Sequence, residues 1–230
     1  MSRRDLILVG CTTPLIASSL ALPRSGKAST ELQSGSITPS IDLRKAEPQQ
    51  VQLVISDGCG LGVSIYPDFE YNAGGKGGVG TAQKESDGRI FVRFDPATLQ
   101  IPPVQFSTTK FLKLPLPPPL RIEIVSKKLE GYIEPETGKV ELDFLAEFLF
   151  TIGPLYKAKP LIVGTTLTTE SSQGPLRSGQ GQRLDSSGRC VLAGVARVVP
   201  VDDPLLDPFL MLPTDCLARL PAQFIFTNQA

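Results

Sequence analysis

A chain of 230 residues, 41% of them hydrophobic and 20% charged, has enough apolar material for one sizeable core. Its 23 basic and 23 acidic residues balance, which leaves no field to attract a polyanion and excludes nucleic acid as a partner. Histidine is absent, which excludes Ser-His and Cys-His nucleophile pairs and imidazole metal sites; tryptophan is absent as well.

Residues 1–28 read as an export signal peptide. Arg3 and Arg4 make a basic head, and Leu6 to Leu22 form a mildly apolar stretch diluted by Gly10, Pro14 and several Ser and Thr. Small residues then offer cleavage after Ala21 or Ala28, with Ala28 preferred. Ser2-Arg3-Arg4-Asp5-Leu6-Ile7-Leu8 resembles the twin-arginine export signal of bacteria and thylakoids, with general secretion as the alternative. Leu8-Val9-Gly10-Cys11 matches a lipobox, but too few apolar residues precede Cys11 for an ordinary apolar core of about 7–15. Taking the four basic residues and one acidic residue of 1–28 from 23 of each leaves a mature net charge of −3. No later stretch approaches the 18 or so apolar residues of a transmembrane segment. Cys59, Cys190 and Cys216 remain; Cys190 and Cys216 are the candidate disulfide, and buried reduced thiols are the equal alternative.

Residues 29–50 are polar and read as a flexible lead-in; strands dominate the domain 51–230. Val51, Leu53 and Ile55 alternate, then Ile90, Val92 and Phe94, then Leu120, Ile122 and Ile124. Gly74–Thr81 reads as a flexible hairpin loop, and Leu114–Pro119 as an extended polyproline crossing. Pro135–Gly138 is a tight hairpin turn. From Val140 to Ile152 every even position is apolar, a period of two that no helix gives. Phe144 and Phe148 are therefore expected to face the core, and Glu141 and Glu147 water. A strand that long coils around a barrel or a strongly curved sheet. Further strands are expected at Leu161–Thr169, Cys190–Val199 and Ala222–Thr227, a mobile hairpin loop over Ser171–Gly188, and one short helix over Thr214–Leu220. The expected fold is all-β: a single antiparallel β-barrel or strongly curved β-sandwich with one short C-terminal helix.

Three motifs invite a chemistry. Gly74-Gly-Lys-Gly-Gly-Val-Gly-Thr81 resembles the deviant phosphate loop of ParA-type ATPases, but the lysine before Thr81 is missing and no helix pattern follows. Glu141, Asp143 and Glu147 resemble the catalytic strand of laminarinase-type glycoside hydrolases, in which Glu141 would be nucleophile and Glu147 the acid. Six strand residues set those two about 20 Å apart, far beyond the 5–5.5 Å that retention needs. Asp202, Asp203 and Asp207 lack a calcium-loop spacing and read as a capped turn. Cys59 has no basic neighbour to activate it. No catalytic residue, metal site or cofactor is assigned.

Phe209, Leu210, Met211 and Leu212 are densely apolar for a loop-rich region and read as a rim for a ligand or partner, with a core plug as the alternative. The tail around Leu212–Leu220 resembles uncharacterised proteins of cyanobacteria and plastids, and the β-body is similar in architecture to the YceI-type isoprenoid carriers. These resemblances imply an exported, non-enzymatic binding or assembly protein of the thylakoid lumen or periplasm, holding a lipid or pigment. Its partner would be an apolar small molecule or a membrane-associated protein complex. The alternative is a carboxylate-dependent hydrolase.

Overall fold

The computed structural model describes residues 48–228. The export signal with Arg3, Arg4 and Cys11, and the lead-in as far as residue 47, lie outside the described residues. From there the chain runs through β1 (Gln50–Ile55), β2 (Cys59–Val63), β3 (Phe69–Tyr71), β4 (Gly77–Lys84) and β5 (Ile90–Phe94). Three short strands follow: β6 (Val104–Gln105), β7 (Thr109–Phe111) and β8 (Leu114–Pro115). The long hairpin of β9 (Leu120–Glu134) and β10 (Lys139–Ile152) leads to β11 (Tyr156–Lys157) and β12 (Leu161–Thr168). Last come β13 (Ser171–Gln173), β14 (Ser178–Gln180), β15 (Arg189–Val198), the single-turn helix α1 (Leu206–Leu210) and β16 (Thr214–Thr227).

Eight of these strands pair in chain order, β1, β4, β5, β9, β10, β12, β15 and β16, and β16 returns to β1 to close an antiparallel ring. The ring is not the same at both ends. β16 pairs through 222–227 with β1 but through 216–219 with β2, and β2 carries β3, β7 and β8 outward in turn. On the other flank the start of β9 pairs with β6. At the end where β9 begins and β10 finishes, β2, β3, β7 and β8 thus stand where β1, β4 and β5 stand at the other. The wall is therefore built from different strands at that end, which is called the mouth below.

The long hairpin sets the inside and the outside. Val140, Leu142, Ala146 and Phe150 are buried and Phe144 and Phe148 point inward between them, while Glu141 and Asp143 are exposed. Lysines tie down the outer carboxylates: Lys139 to Glu141 at 3.1 Å, Lys128 to Asp143 at 3.7 Å and Lys127 to Glu147 at 3.1 Å. A bulge opposite Leu145 and Ala146 gives β9 one additional residue, Lys127, and leaves the alternation of β10 unbroken. Along β10 the outer face carries Glu141, Asp143 and Glu147 and the inner face is apolar. Among the described residues no helix is long and apolar enough to cross a membrane. Side chains hold β15 from both neighbours: the Thr165 hydroxyl of β12 donates to the Val195 carbonyl, and the Ser172 hydroxyl of β13 accepts from the Val195 N–H, both at 2.9 Å.

Three local expectations are corrected. The glycine run is not a hairpin loop, because Gly77 to Lys84 is a strand of the ring. A Cβ at Gly77, whose φ is +147°, or at Gly80 would overlap the carbonyl oxygen of Leu53 or Arg93, so glycine is what lets the strands close. The helix expected over Thr214–Leu220 is the first half of β16, and the helical turn lies earlier, at Leu206–Leu210. Its residues are held extended by pairing with β15 on one side and β2 on the other. The hairpin expected within Ser171–Gly188 forms as β13–β14, and it packs over the outer face of β15 and β16. The polyproline crossing is interrupted by β8 and by Leu116, which turns inward and is buried. The turn at Pro135–Gly138 forms as expected, with the Gly138 N–H donating to the Glu134 carbonyl at 2.8 Å.

Candidate functional site

Below the middle of the barrel the interior is solid. Ile90, Val92, Phe94, Ile133, Val140 and Leu142 fill it from β5, β9 and β10, and Phe224 of β16 meets Phe94 with ring centroids 6.4 Å apart. Toward the mouth a second cluster forms around Phe150, Leu161, Val163, Val198, Leu206 and Leu210. Between the two lies a cavity of about 460 Å³. Ile122 and Ile124 of β9, Phe144 and Phe148 of β10, and Ala196 and Ala218 of β15 and β16 line its walls. The far wall is the β2–β3–β7 flank, where Phe69 and Phe111 pack with centroids 4.9 Å apart. The unfilled space thus lies where β2, β3 and β7 replace β1, β4 and β5 in the wall.

The proposed rim divides. Phe209 lines the cavity, is 51% exposed, and meets Phe150 edge to face at 5.8 Å; Leu210 lines it from a buried position. Met211, in the left-handed conformation that ends α1, does not line the cavity, and Leu212 packs into the mouth cluster. The Tyr66 hydroxyl donates to the Phe209 carbonyl at 2.8 Å, joining α1 to the turn between β2 and β3. The aspartates before α1 shape the same connection. Asp207 accepts from the amides of Val201, Asp202 and Asp203, and Asp203 from those of Leu205 and Leu206 and from the Tyr156 hydroxyl at 2.5 Å. These donors, Tyr156 first, hold the Asp203 carboxyl below the usual carboxylate range. All three aspartates are turn formers, and among the described residues no cluster of His, Cys, Asp or Glu could hold a metal ion.

A strap outside the sheet braces the mouth. Arg177, in the β13–β14 hairpin, donates from Nε to the Ser64 carbonyl at 2.7 Å and from Nη1 to Asp68 at 2.6 Å. Its Nη2 reaches the carbonyls of Val63 and Tyr66. The fully buried Asp215 of β16 accepts the amides of Leu176 and Arg177 at 2.6 and 3.2 Å. The strap therefore joins β16 to the turn that contacts Phe209.

Little in the cavity can do polar work. Tyr71 donates its hydroxyl to the Pro102 carbonyl at 2.5 Å, and the hydroxyls of Tyr66 and Thr165 are likewise spent on backbone. No aspartate or glutamate lines it. Cys216 does, but burial pushes its thiol up to about 11, so it is protonated and unreactive at neutral pH. Burial also raises Cys59, and takes Cys190 to about 12. All three are free thiols. The expected Cys190–Cys216 disulfide is absent: on the paired strands Cys190 faces Ala222 and Cys216 faces Ala196, six residues or about 20 Å apart, whereas a disulfide needs Cα atoms within about 7 Å.

Comparison with protein families, curated proteins and solved structures found no match. Sequence reasoning missed the β2–β3–β7 wall with Phe69 and Phe111, and the Arg177–Asp215 strap. Strands of three to five residues leave too short an alternation to read.

Proposed function

We propose that the protein is a non-enzymatic carrier or store of an apolar small molecule, a lipid, isoprenoid or pigment, working after export in the thylakoid lumen or periplasm. The observation that carries this reading is the cavity of about 460 Å³ lined almost wholly by hydrocarbon, a size common for small-molecule sites. At about 24 cal/mol per Å³, a sealed and empty void of that volume would cost on the order of 10 kcal/mol, comparable to the stability of a whole domain. Water is a poor occupant, because it needs two to four polar partners and the lining hydroxyls are already used. A hydrocarbon chain needs none and gains about 0.8 kcal/mol for each buried methylene. The alternative, a hydrolase acting through carboxylates, would need acidic groups inside the cavity, and the lining offers none. Arg3 and Arg4 support export by the twin-arginine route.

The test is mass spectrometry of solvent extracts from the protein purified from its native host, beside an Ala218→Phe variant whose ring would occupy the cavity. A co-purifying apolar molecule, depleted in a folded Ala218→Phe protein, is the expected result. Native protein without such a molecule, or a variant that retains it in full, refutes the carrier reading.

A further inference from the structure

We propose that the mouth of the barrel docks onto an anionic lipid surface through two loop tips, Leu112-Lys113-Leu114 and Leu155-Tyr156-Lys157. The proposal extends the carrier reading, since an apolar cargo would have to enter and leave through this end.

The tips are apolar where solvated turns are ordinarily polar. Leu112 is 64% exposed, Leu114 70% and Leu155 86%. Topology brings them to one end. Phe111 pairs with Phe69 beside the β2–β3 turn, so the hairpin between β7 and β8 points the same way as Tyr66. Leu120 pairs with Ile152, and the Gly153 N–H donates to the Pro119 carbonyl at 3.2 Å, which sets the Leu155 turn beside the chain that leaves β8. Between them Leu116 and Pro117 line the cavity. Ile65, on the β2–β3 turn, continues the exposed apolar rim at the same end.

The first tip also departs from what its backbone would choose. Leu112 and Lys113 have φ of +51° and +67°, the paired left-handed turn for which Asn-Gly or Asp-Gly is the inexpensive choice. A bulky leucine there is a disfavoured conformation, the kind that persists at functional positions. Folding gains little from it, since most of the side chain stands in solvent.

Charge selects the occupant. Lys113 sits between the two leucines and Lys157 stands two residues after Leu155; neither has an ion-pair partner among the described residues. The guanidinium of Arg121, at the start of β9, donates to Gln105 at 2.6 Å. Of the acidic groups at this end, Asp68 is engaged with Arg177, and Asp203 and Asp207 with backbone amides; Asp202, Glu123 and Glu70 are exposed, Glu70 directly across from Lys110 in the β3–β7 pair. Unpaired lysines flanking protruding leucines fit lipid headgroups above and acyl chains below, because leucine enters the interface while lysine stems reach back to the phosphates. A protein partner would more often meet a flat patch with an aromatic centre.

The chain contains no tryptophan, so a single introduced tryptophan reports on its own surroundings alone. Leu112→Trp and Leu155→Trp are made in the full chain, with Thr137→Trp at the opposite end of the barrel. Each is mixed with phosphatidylcholine vesicles with or without one quarter phosphatidylglycerol. Docking predicts a blue shift and quenching by brominated acyl chains for positions 112 and 155 on the anionic vesicles, and no response at 137. Adding Lys113→Gln and Lys157→Gln to the Leu112→Trp chain should weaken the anionic-vesicle response by roughly fivefold for each lysine, about twenty-five-fold together. No shift at either tip, an equal shift at 137, or a response indifferent to phosphatidylglycerol and to the lysines overturns the proposal. The emission reads the tips whatever the cavity contains, so docking without cargo would leave this proposal standing while the carrier reading fell.

Discussion

Phe150 and Phe209 meet edge to face with ring centroids 5.8 Å apart, one from the end of the longest hairpin and the other from a single helical turn. Phe150 is buried in the wall, whereas Phe209 is half in solvent and half over the cavity. The contact thus joins a buried residue of the wall to a half-exposed residue that covers the cavity. Phe209→Asp should weaken retention of an apolar cargo several-fold while costing about 1 kcal/mol or less of stability, since an exposed ring leaves little packing to lose. Cargo retention measured beside a denaturant midpoint separates the two. A variant that unfolds outright would make Phe209 a plug of the core rather than its cover.

The register of β10 can be tested at three neighbouring positions. Leu142 is fully buried in the floor, so Leu142→Ala should cost about 3–5 kcal/mol. Phe144 faces the cavity and already lacks neighbours on one side, so Phe144→Ala should cost less, about 2–3 kcal/mol, and not the full-core value that alternation alone suggests. Glu147→Ala, removing one surface pair to Lys127, should stay within about 0.5 kcal/mol. Urea unfolding of the three variants gives the order. Glu147→Ala as the costliest would mean the strand is turned by one residue.

What the sequence made legible was decided by side chains that differ between faces. β10 reads plainly because Val140, Leu142 and Phe144 alternate with Glu141 and Asp143. β4 did not, because Gly77, Gly78 and Gly80 carry no side chain to alternate, and close backbone approach is their only signal. The start of β16 was masked differently. Leu217 and Asp215 lie under the β13–β14 strap, so both faces of that strand are covered and the in-out pattern fades. Phe209 and Leu210 stood out as apolar residues in a loop-rich stretch, but the cavity they border arises from the unequal ends of the ring. That is a property of pairing between distant segments, which local pattern does not encode.

The thiols give a chemical test of the interior. Cys59 and Cys190 are buried, Cys216 is half-buried, and burial keeps all three protonated at neutral pH. Under native conditions they should resist alkylation, and after denaturation all three should react whether or not reductant was present. Peptide mapping by mass spectrometry distinguishes them from Cys11. Recovery of a peptide linking Cys190 to Cys216 from fresh native protein would contradict the strand register.

The strap should matter more than its surface position suggests. Asp215→Ala removes a buried carboxylate from two backbone amides and should cost about 2–4 kcal/mol, because the donors lose a charged acceptor without regaining water. Arg177→Ala frees three carbonyls at the β2–β3 turn and should cost about 1–3 kcal/mol. Both act on the same hairpin, so the double variant should lose less than the sum of the singles in a thermal or urea melt. Strict additivity would mean the two residues brace separate parts of the barrel.

Acid should loosen the mouth connection through Asp203. Its carboxyl is held below the ordinary range, mainly by the Tyr156 hydroxyl, so its stabilising effect is complete above the unfolded value near pH 4 and declines as pH falls through the depressed one. Tyr156 moves the other way: burial, then the bond to Asp203, pushes it up to about 12, so its contribution is complete below about pH 10 and fades as pH rises through 12. Between those limits the latch does not respond to pH. The amide resonances of Leu205 and Leu206, which donate to Asp203 at 3.0 and 2.9 Å, should therefore titrate together below pH 4. The same step should vanish in Asp203→Asn, while amides of Ile133 and Leu142 in the floor stay unchanged until global unfolding. A midpoint at or above that of an ordinary aspartate would show that the Tyr156 bond does not hold in solution, and α1 would then be tethered by Asp207 and Tyr66 alone.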